Sequence, residues 1–342
     1  MSDRIKIVRT DAKLETPVLD EALRKHGDLI LLSDGASEDE VIAAVRDAGL
    51  LLMCYTPITE RVINAAKQLK GIVKYGVGID AIDIEAAKVR KIPVVNVPEY
   101  AEETVAEGAF ALLIALAKKL RPLQKAMDSQ GWVWPNAQWI GSDISGKTLG
   151  LVGLGRIGRS MARMAGQGFN ARILAYNPGM PEERMRAAGV EKCDDLHDML
   201  SQSDFVSVHS TLSPNTHHLI DADALSAMKR TSILINTARG ALVDEAALVR
   251  ALQAGQIAGA GLDVFSAEPL AKSGHPLSPL FEMDNVILTP HLTFYTHEAM
   301  QRLEEDTLAR CVEILQGEPV LVKSRDPRLV GQKHGVVFPS RD

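Results

Sequence analysis

Short runs of β-branched and apolar residues alternate with longer stretches of helical spacing along nearly the whole chain. That is the pattern of parallel strands joined by helical crossovers. In the first third it predicts strands at Arg4–Val8, Leu29–Leu32, Leu50–Cys54, Gly71–Tyr75 and Val94–Asn96. Helices are expected at Asp39–Asp47, Thr59–Lys67 and Asp83–Arg90. Several of these strands are apolar at consecutive positions, as expected when both faces of a sheet are covered. From Thr104 to Met127 the period turns helical and stays so. Ala109, Leu112, Leu113, Leu116, Leu120 and Leu123 form one stripe, with Lys118, Lys119 and Arg121 near its end. Such a helix either links two domains, with a face for a second subunit, or lies in the core of one.

A second sheet is predicted to open within Gly146–Gly153, followed by a helix beginning near Arg156. Its later strands are Arg172–Tyr176, Asp204–His209, Ser232–Asn236, Gly261–Val264 and Val286–Leu288, with helices around Asp223–Met228 and Asp244–Ala254. A last helix, Thr296–Gln316, is capped by Gly317 and closed by Pro319. The tail from Ser324 is polar with scattered glycine and proline, and either wraps a surface or is loose.

Composition narrows the classes. A chain of 342 residues is about two domains' worth. Lys plus Arg number 38 and Asp plus Glu 44, for a net charge of −6 with no basic block, so nucleic acid is not an expected partner. The apolar stretch Gly108–Ala117 is too short to span a membrane. The N-terminus carries Asp3, Arg4 and Lys6 and no long apolar run, so no secretory signal is visible. Cys54, Cys193 and Cys311 form no Cys-x-x-Cys pair, which suits the reducing cytoplasm and excludes a zinc ribbon. His209, His217, His218 and His297 have no second ligand at metal-binding spacing, so no metal is expected.

Gly153-Leu154-Gly155-Arg156-Ile157-Gly158 directly follows the apolar strand Thr148–Val152 and precedes a helical pattern. In that setting each glycine has a use. Gly153 allows a tight turn, Gly155 lets a pyrophosphate approach the backbone, and Gly158 lets helix and strand pack closely. The helix N-terminus then offers free N–H groups and its positive dipole end to phosphates. The strand Arg172–Tyr176 ends in Asn177-Pro178-Gly179 where an acid would take the ribose 2′-hydroxyl. Asn177 can bond a hydroxyl but carries no charge to repel a 2′-phosphate, and no arginine follows at once. The cofactor expected is therefore NAD, with NADP not excluded. A second glycine loop, Gly76-Val77-Gly78-Ile79-Asp80-Ala81, offers adjacent N–H groups that suit a carboxylate; a plain structural turn is the duller reading.

Arg239-Gly240, Glu268-Pro269 and His291 each follow a predicted strand of the second sheet. Loops beyond the carboxyl ends of strands form the ligand crevice of an open α/β sheet. An arginine, an acid and a histidine there are what carbonyl reduction requires.

With these motifs the sequence resembles the D-isomer-specific 2-hydroxyacid dehydrogenases. The matching segments are Lys74-Tyr75-Gly76-Val77-Gly78-Ile79-Asp80, Asn96-Val97-Pro98, Val105-Ala106-Glu107 and the glycine turn. Asn236-Thr237-Ala238-Arg239-Gly240, Leu262-Asp263-Val264-Phe265 with Glu268-Pro269, and Thr289-Pro290-His291 follow, in family order over roughly 45–320. The resemblance implies that Arg239 grips the substrate's carboxylate and carbonyl oxygen. It implies that His291 is the acid/base and that Glu268 bonds the other imidazole nitrogen, fixing the tautomer. Val77 and Gly78 would bind the carboxylate through backbone N–H groups. Asp263 would meet the nicotinamide amide, and Thr211 and Ala238 lie where family members touch the cofactor. Hydride transfer itself belongs to the nicotinamide.

The chain departs from the family in places. Ala81 stands where many members have Asn. After His291, where small residues and often Gly-Gly are usual, it has Leu292-Thr293-Phe294-Tyr295, bulk that would reshape the pocket. No particular hydroxy acid is therefore assumed. The aromatic pair is reminiscent of the C-terminal-binding corepressors, so a non-enzymatic, dinucleotide-sensing protein of this fold is the alternative. Trp132, Trp134 and Trp139 either pack or wall the active site of a neighbouring subunit.

A fingerprint beginning at residue 153 argues against the L-lactate and malate dehydrogenase arrangement. The expected architecture is two doubly wound parallel-sheet domains. A flavodoxin-like substrate domain of residues 1–103 and 297–342 receives an inserted Rossmann cofactor domain of residues 104–296. A homodimer is expected from the resemblance and the long apolar helix.

Overall fold

A computed structural model describes residues 4–339. The chain divides into two compact units, Met1–Ala101 with Thr296–Asp342, and Glu102–Tyr295. The expected boundaries were 103/104 and 296/297.

The first unit holds β1 (Lys6–Arg9), β2 (Asp28–Leu31), β3 (Leu50–Met53), β4 (Ile72–Lys74) and β5 (Val94–Asn96). They pair in parallel in the order β2-β1-β3-β4-β5, the flavodoxin-like arrangement. Every residue of β3, β4 and β5 is buried, which is why they read as short apolar runs, broken only by the buried Lys74 and Asn96 at the ends of β4 and β5. Between the strands run α1 (Pro17–His26), α2 (Glu38–Val45), α3 (Glu60–Ala65) and α4 (Ile84–Val89). The periodicity did not show α1, since only Leu19, Asp20 and Leu23 of it are buried. Asp20 faces inward to meet Arg9, a strand residue only 1% exposed, through Nε at 2.9 Å and Nη2 at 3.0 Å. A guanidinium so deeply buried is tolerable only with its carboxylate in place.

The second unit opens with α5 (Glu102–Ala117) and α6 (Leu120–Gln130), where the apolar stripe predicted a single helix. The break is at Lys119, whose φ of 52° and ψ of 38° put it in the left-handed region. Arg121 follows it and donates to the carbonyls of Phe281 and Val286.

After the helices come β6 (Thr148–Val152), α7 (Arg156–Arg163), β7 (Arg172–Tyr176), α8 (Glu182–Ala187), β8 (Glu191–Cys193), α9 (Leu196–Gln202) and β9 (Phe205–Val208). The unit continues with α10 (Ala222–Ala227), β10 (Ile233–Asn236), α11 (Glu245–Gln253), β11 (Gly259–Leu262) and β12 (Val286–Leu288). The seven strands are parallel in the order β12-β11-β10-β9-β6-β7-β8, the Rossmann order with one further strand. Side chains alternate between two apolar layers. Leu149, Leu151, Phe205, Ile233 and Ile235 pack with Ala109 and Leu113 of α5 and Met161 of α7. Val152, Val206, Val208 and Leu234 pack with Met199, Leu225 and Leu248 from the other face. The order reverses between β6 and β9, so the crevice of such a sheet lies above their carboxyl ends.

The chain re-enters the first unit with α12 (His297–Gln316), N-capped by Thr296 and ended by Gly317 at φ 76°. Glu304 of α12 accepts the Leu19 amide at 2.7 Å, tying it to α1. Among the described residues the C-terminal segment 320–339 holds regular elements. It forms β13 (Val320–Leu321), α13 (Pro327–Val330) and β14 (Val336–Val337), and the Gln332 amide bonds both backbone groups of Val94 in β5.

The helix break makes a direct prediction. Lys119→Gly should change the unfolding free energy by less than about 0.5 kcal/mol, because glycine enters the left-handed region freely. Ala115→Gly inside α5 should cost about 1 kcal/mol. Urea unfolding of the two variants compares them, and equal losses would mean a continuous helix.

Candidate active site

The glycine turn has the geometry its sequence called for. Gly153 sits at φ 96°, and a Cβ there would lie 2.8 Å from the Ser210 amide nitrogen. A Cβ on Gly158 would lie 2.5 Å from the Gly153 carbonyl oxygen, so helix α7 and the turn close on each other only without one. At Gly155, the N-cap of α7, nothing lies within 4 Å of a built Cβ. Two glycines are thus needed for packing, while the third borders open space before a helix N-terminus. That is a cradle of the kind a pyrophosphate fills. The Arg156 side chain pairs with Glu102 at 3.1 Å, which leaves the backbone at Arg156 and Ile157 as what the turn itself presents.

The other expected cofactor positions lie along the same edge of the sheet. Asn177 is half-buried just beyond β7. Thr211 follows β9 and its carbonyl accepts the Thr216 hydroxyl at 2.7 Å. Beyond β10, Asn236 accepts the Ala238 amide at 3.0 Å and donates to the Arg239 carbonyl at 2.8 Å, an Asx-type turn that shapes the arginine loop. Arg239 donates through Nη1 to the Ala238 carbonyl at 2.7 Å. His209, just after β9, is half-buried beside the Ser207 hydroxyl at 2.9 Å, and desolvation of its ring pushes the imidazole down to about 4. It stays neutral at physiological pH.

The structure brings Arg239, Glu268 and His291 together. Gly240 is the reason two of their loops meet: a Cβ there would lie 2.1 Å from the Phe265 carbonyl carbon, so the β10 and β11 loops cross only over a glycine. Glu268 then accepts the Phe265 amide at 2.9 Å through Oε1, while its Oε2 lies 2.9 Å from Nδ1 of His291. Both side chains are about one-third exposed, so the pair is held yet reachable. Burial raises the Glu268 carboxyl, but the His291 hydrogen bond and charge, the Phe265 amide and the Arg239 charge outweigh it and hold the carboxyl below its ordinary range. Phe294 stands edge-on to the imidazole at 6.5 Å.

Asp263 also has a role that the resemblance does not supply. It is fully buried and its oxygens are taken by the His291 loop. Oδ1 accepts the Thr289 hydroxyl at 2.5 Å and the Leu292 amide at 3.0 Å. Oδ2 accepts the Thr293 amide at 3.1 Å and its hydroxyl at 2.6 Å. The Asp263 carboxylate thus ties Thr289, Leu292 and Thr293 to the end of β11. Nothing in the residue pattern signalled this, because Thr289 and Thr293 look like ordinary loop residues.

Val77 and Gly78 belong to the first unit. Val77 is exposed and its carbonyl accepts the Asn96 amide at 2.6 Å, while Gly76 turns the loop at φ 146°. Of Trp132, Trp134 and Trp139, expected either to pack or to wall a neighbouring subunit's site, the first two are 72% and 76% exposed and meet each other edge to face at 6.2 Å. Among the described residues no cluster of side chains suits a metal.

Residues 110–293 match the family model of the D-isomer specific 2-hydroxyacid dehydrogenase, NAD binding domain. A glyoxylate reductase of Korarchaeum cryptofilum is 40% identical over 301 residues, covering 86% of this chain and 89% of that protein. The chain belongs to the D-isomer specific 2-hydroxyacid dehydrogenases. A D-3-phosphoglycerate dehydrogenase of Methanocaldococcus jannaschii is 35% identical over 98% of this chain, which spans 62% of that protein's length. The solved D-lactate dehydrogenase of Aquifex aeolicus, complexed with NAD and lactic acid, is 31% identical with a TM-score of 0.82, covering 91% of this chain and 96% of its own. This dehydrogenase is an NAD-binding oxidoreductase acting on a CH–OH group.

The Glu268–His291 contact predicts a pH signature. Because Glu268 titrates below its ordinary 4.5 in the folded chain, its contribution to stability is full above that value and is lost as pH falls below it. Parent and Glu268→Gln should therefore differ more in urea midpoint at pH 7 than at pH 3.5. An equal difference at both would remove the pair from the stability of this loop.

Proposed function

We propose that the dehydrogenase interconverts a small D-2-hydroxy acid and its 2-keto acid, with His291 as acid/base. The observation that carries this is the 2.9 Å contact between Glu268 and Nδ1 of His291. A carboxylate on Nδ1 fixes the ring's orientation and leaves proton exchange to Nε2, the ring's other nitrogen. In reduction His291 gives its proton to the oxygen that becomes the hydroxyl; in oxidation it takes that proton back. Arg239, on the neighbouring loop, grips the substrate's carboxylate and carbonyl oxygen with its planar fork. Backbone N–H groups at Val77 and Gly78 are the carboxylate's further donors. Bound NAD supplies or accepts the hydride.

The cofactor fits the edge of the sheet in strand order. Asn177 beyond β7 takes the adenosine ribose, the Gly153–Gly158 turn takes the pyrophosphate, and Thr211 and Ala238 flank the nicotinamide half. Asn177 is uncharged, so NADP is tolerated beside NAD. Leu292 and Tyr295, both nearly half-exposed, add bulk beside His291 and favour a small keto acid without naming it.

Exposed Trp132, Trp134 and Ile140 supply an apolar face suited to a homodimer. The three cysteines are free, and no helix among the described residues is long and apolar enough to cross a membrane; both suit a cytoplasmic enzyme. The corepressor-like reading rests on Phe294 and Tyr295, and the intact trio weighs against it.

A panel of about ten 2-keto acids, assayed with NADH and with NADPH, tests the proposal. Turnover of at least one is expected, and His291→Asn should lower it by about 10²–10⁴-fold while NADH still binds. Parental turnover in that variant would overturn the acid/base assignment. Tight NADH binding with no keto acid reduced would favour the sensing protein.

A further inference from the structure

His291 sits at φ 58°, a left-handed conformation that costs a non-glycine residue about 1–2 kcal/mol. A loop with that bias relaxes unless its surroundings over-determine it. Here they do so from both sides of the histidine. Thr289 precedes it, Leu292 and Thr293 follow it, and all three bond the buried Asp263 carboxylate at the end of β11. Thr293 contributes two of the four bonds, one of them from its hydroxyl, at 2.6 Å.

Thr293 is also seated. A Cβ on Gly108 of α5 would lie 2.7 Å from Thr293 Cβ and 2.8 Å from its Cγ2, so the absence of a side chain at Gly108 makes the notch that the threonine occupies. Glycine in a helix interior costs about 1 kcal/mol relative to alanine, and this one is offset by what it lets in. The side chain is therefore fixed by a hydroxyl bond on one flank and a steric seat on the other.

We infer that Thr293, seated on Gly108 and bonded to Asp263, is a positioning residue that holds the His291 imidazole in line for proton transfer. Asp263 holds that loop through all four of these bonds. The inference rests on the acid/base reading of His291. Errors of about 1 Å in a reacting group can cost a hundredfold in rate, so loosening the seat should reach kcat before it reaches binding.

Three variants of the full chain test it: Thr293→Val, Thr293→Ser and Gly108→Ala. Thr293→Val keeps the shape and loses the hydroxyl. We expect it to lower kcat at least about tenfold, with the KM for NADH within about twofold and the thermal midpoint within a few degrees. Thr293→Ser should recover kcat to within about threefold of the parent, and Gly108→Ala should fall as the valine variant does. Parental kcat in Thr293→Val, or a serine variant as slow as the valine one, would overturn the assignment. A second readout needs no turnover: hydrogen exchange across 289–295 should quicken in Thr293→Val by at least about tenfold. Should the parent reduce no keto acid, the acid/base reading falls alone, and unchanged exchange in Thr293→Val would then sink the clamp as well.

Discussion

Parallel pairing makes every strand of the 102–295 sheet end on the same edge, and everything at the candidate site follows from that constraint. Neighbouring strands lie roughly 4.8 Å apart, so the loops after β6, β9, β10, β11 and β12 are side by side although the chain between them is long. Residue 153 and residue 291 share one rim because of strand order. Where two loops must cross, a single missing Cβ at Gly240 allows it. The acid and the imidazole then meet as a geometric result of pairing, with the hydrogen bond only completing what the sheet arranges.

The same rim carries two kinds of carboxylate. Glu268 is partly open and its charge is held in place by His291, the Phe265 amide and Arg239. Asp263, at the start of the same segment after β11, is sealed under the His291 loop and spends its acceptors on backbone amides and threonine hydroxyls. Burial with saturated hydrogen bonding suits a fixed part, whereas partial exposure suits a group that faces a reactant. Environment, more than residue type, separates the two.

Much of this was legible in the residues. The strands Val94–Asn96, Thr148–Val152, Arg172–Tyr176 and Val286–Leu288 run as the apolar pattern placed them, since buried strands leave unbroken hydrophobic text. The glycine turn was readable because Gly153 and Gly158 have steric reasons and Gly155 borders open space before a helix N-terminus. Other elements were hidden. The edge segment α8-β8-α9 is short and polar, with Glu191–Cys193 only half covered, so no period emerges from it. The stripe through Lys118 and Lys119 keeps helical spacing across a left-handed residue, because apolar spacing records which face is buried and not whether the backbone is continuous. The roles of Asp263, Thr293 and Gly108 depend on contacts between residues far apart in the chain, which no local pattern contains.

The first unit is made from both ends of the chain. Its helix α12 and the Gln332 side chain that bonds β5 lie beyond residue 295, while all five strands of its sheet lie before residue 102. During synthesis those strands emerge without the helix that covers them. At roughly 5–20 residues per second, the ribosome needs on the order of ten to forty seconds to make the intervening segment. For that interval an apolar sheet stands half-dressed, and the newborn enzyme is at its most vulnerable to aggregation before α12 exists.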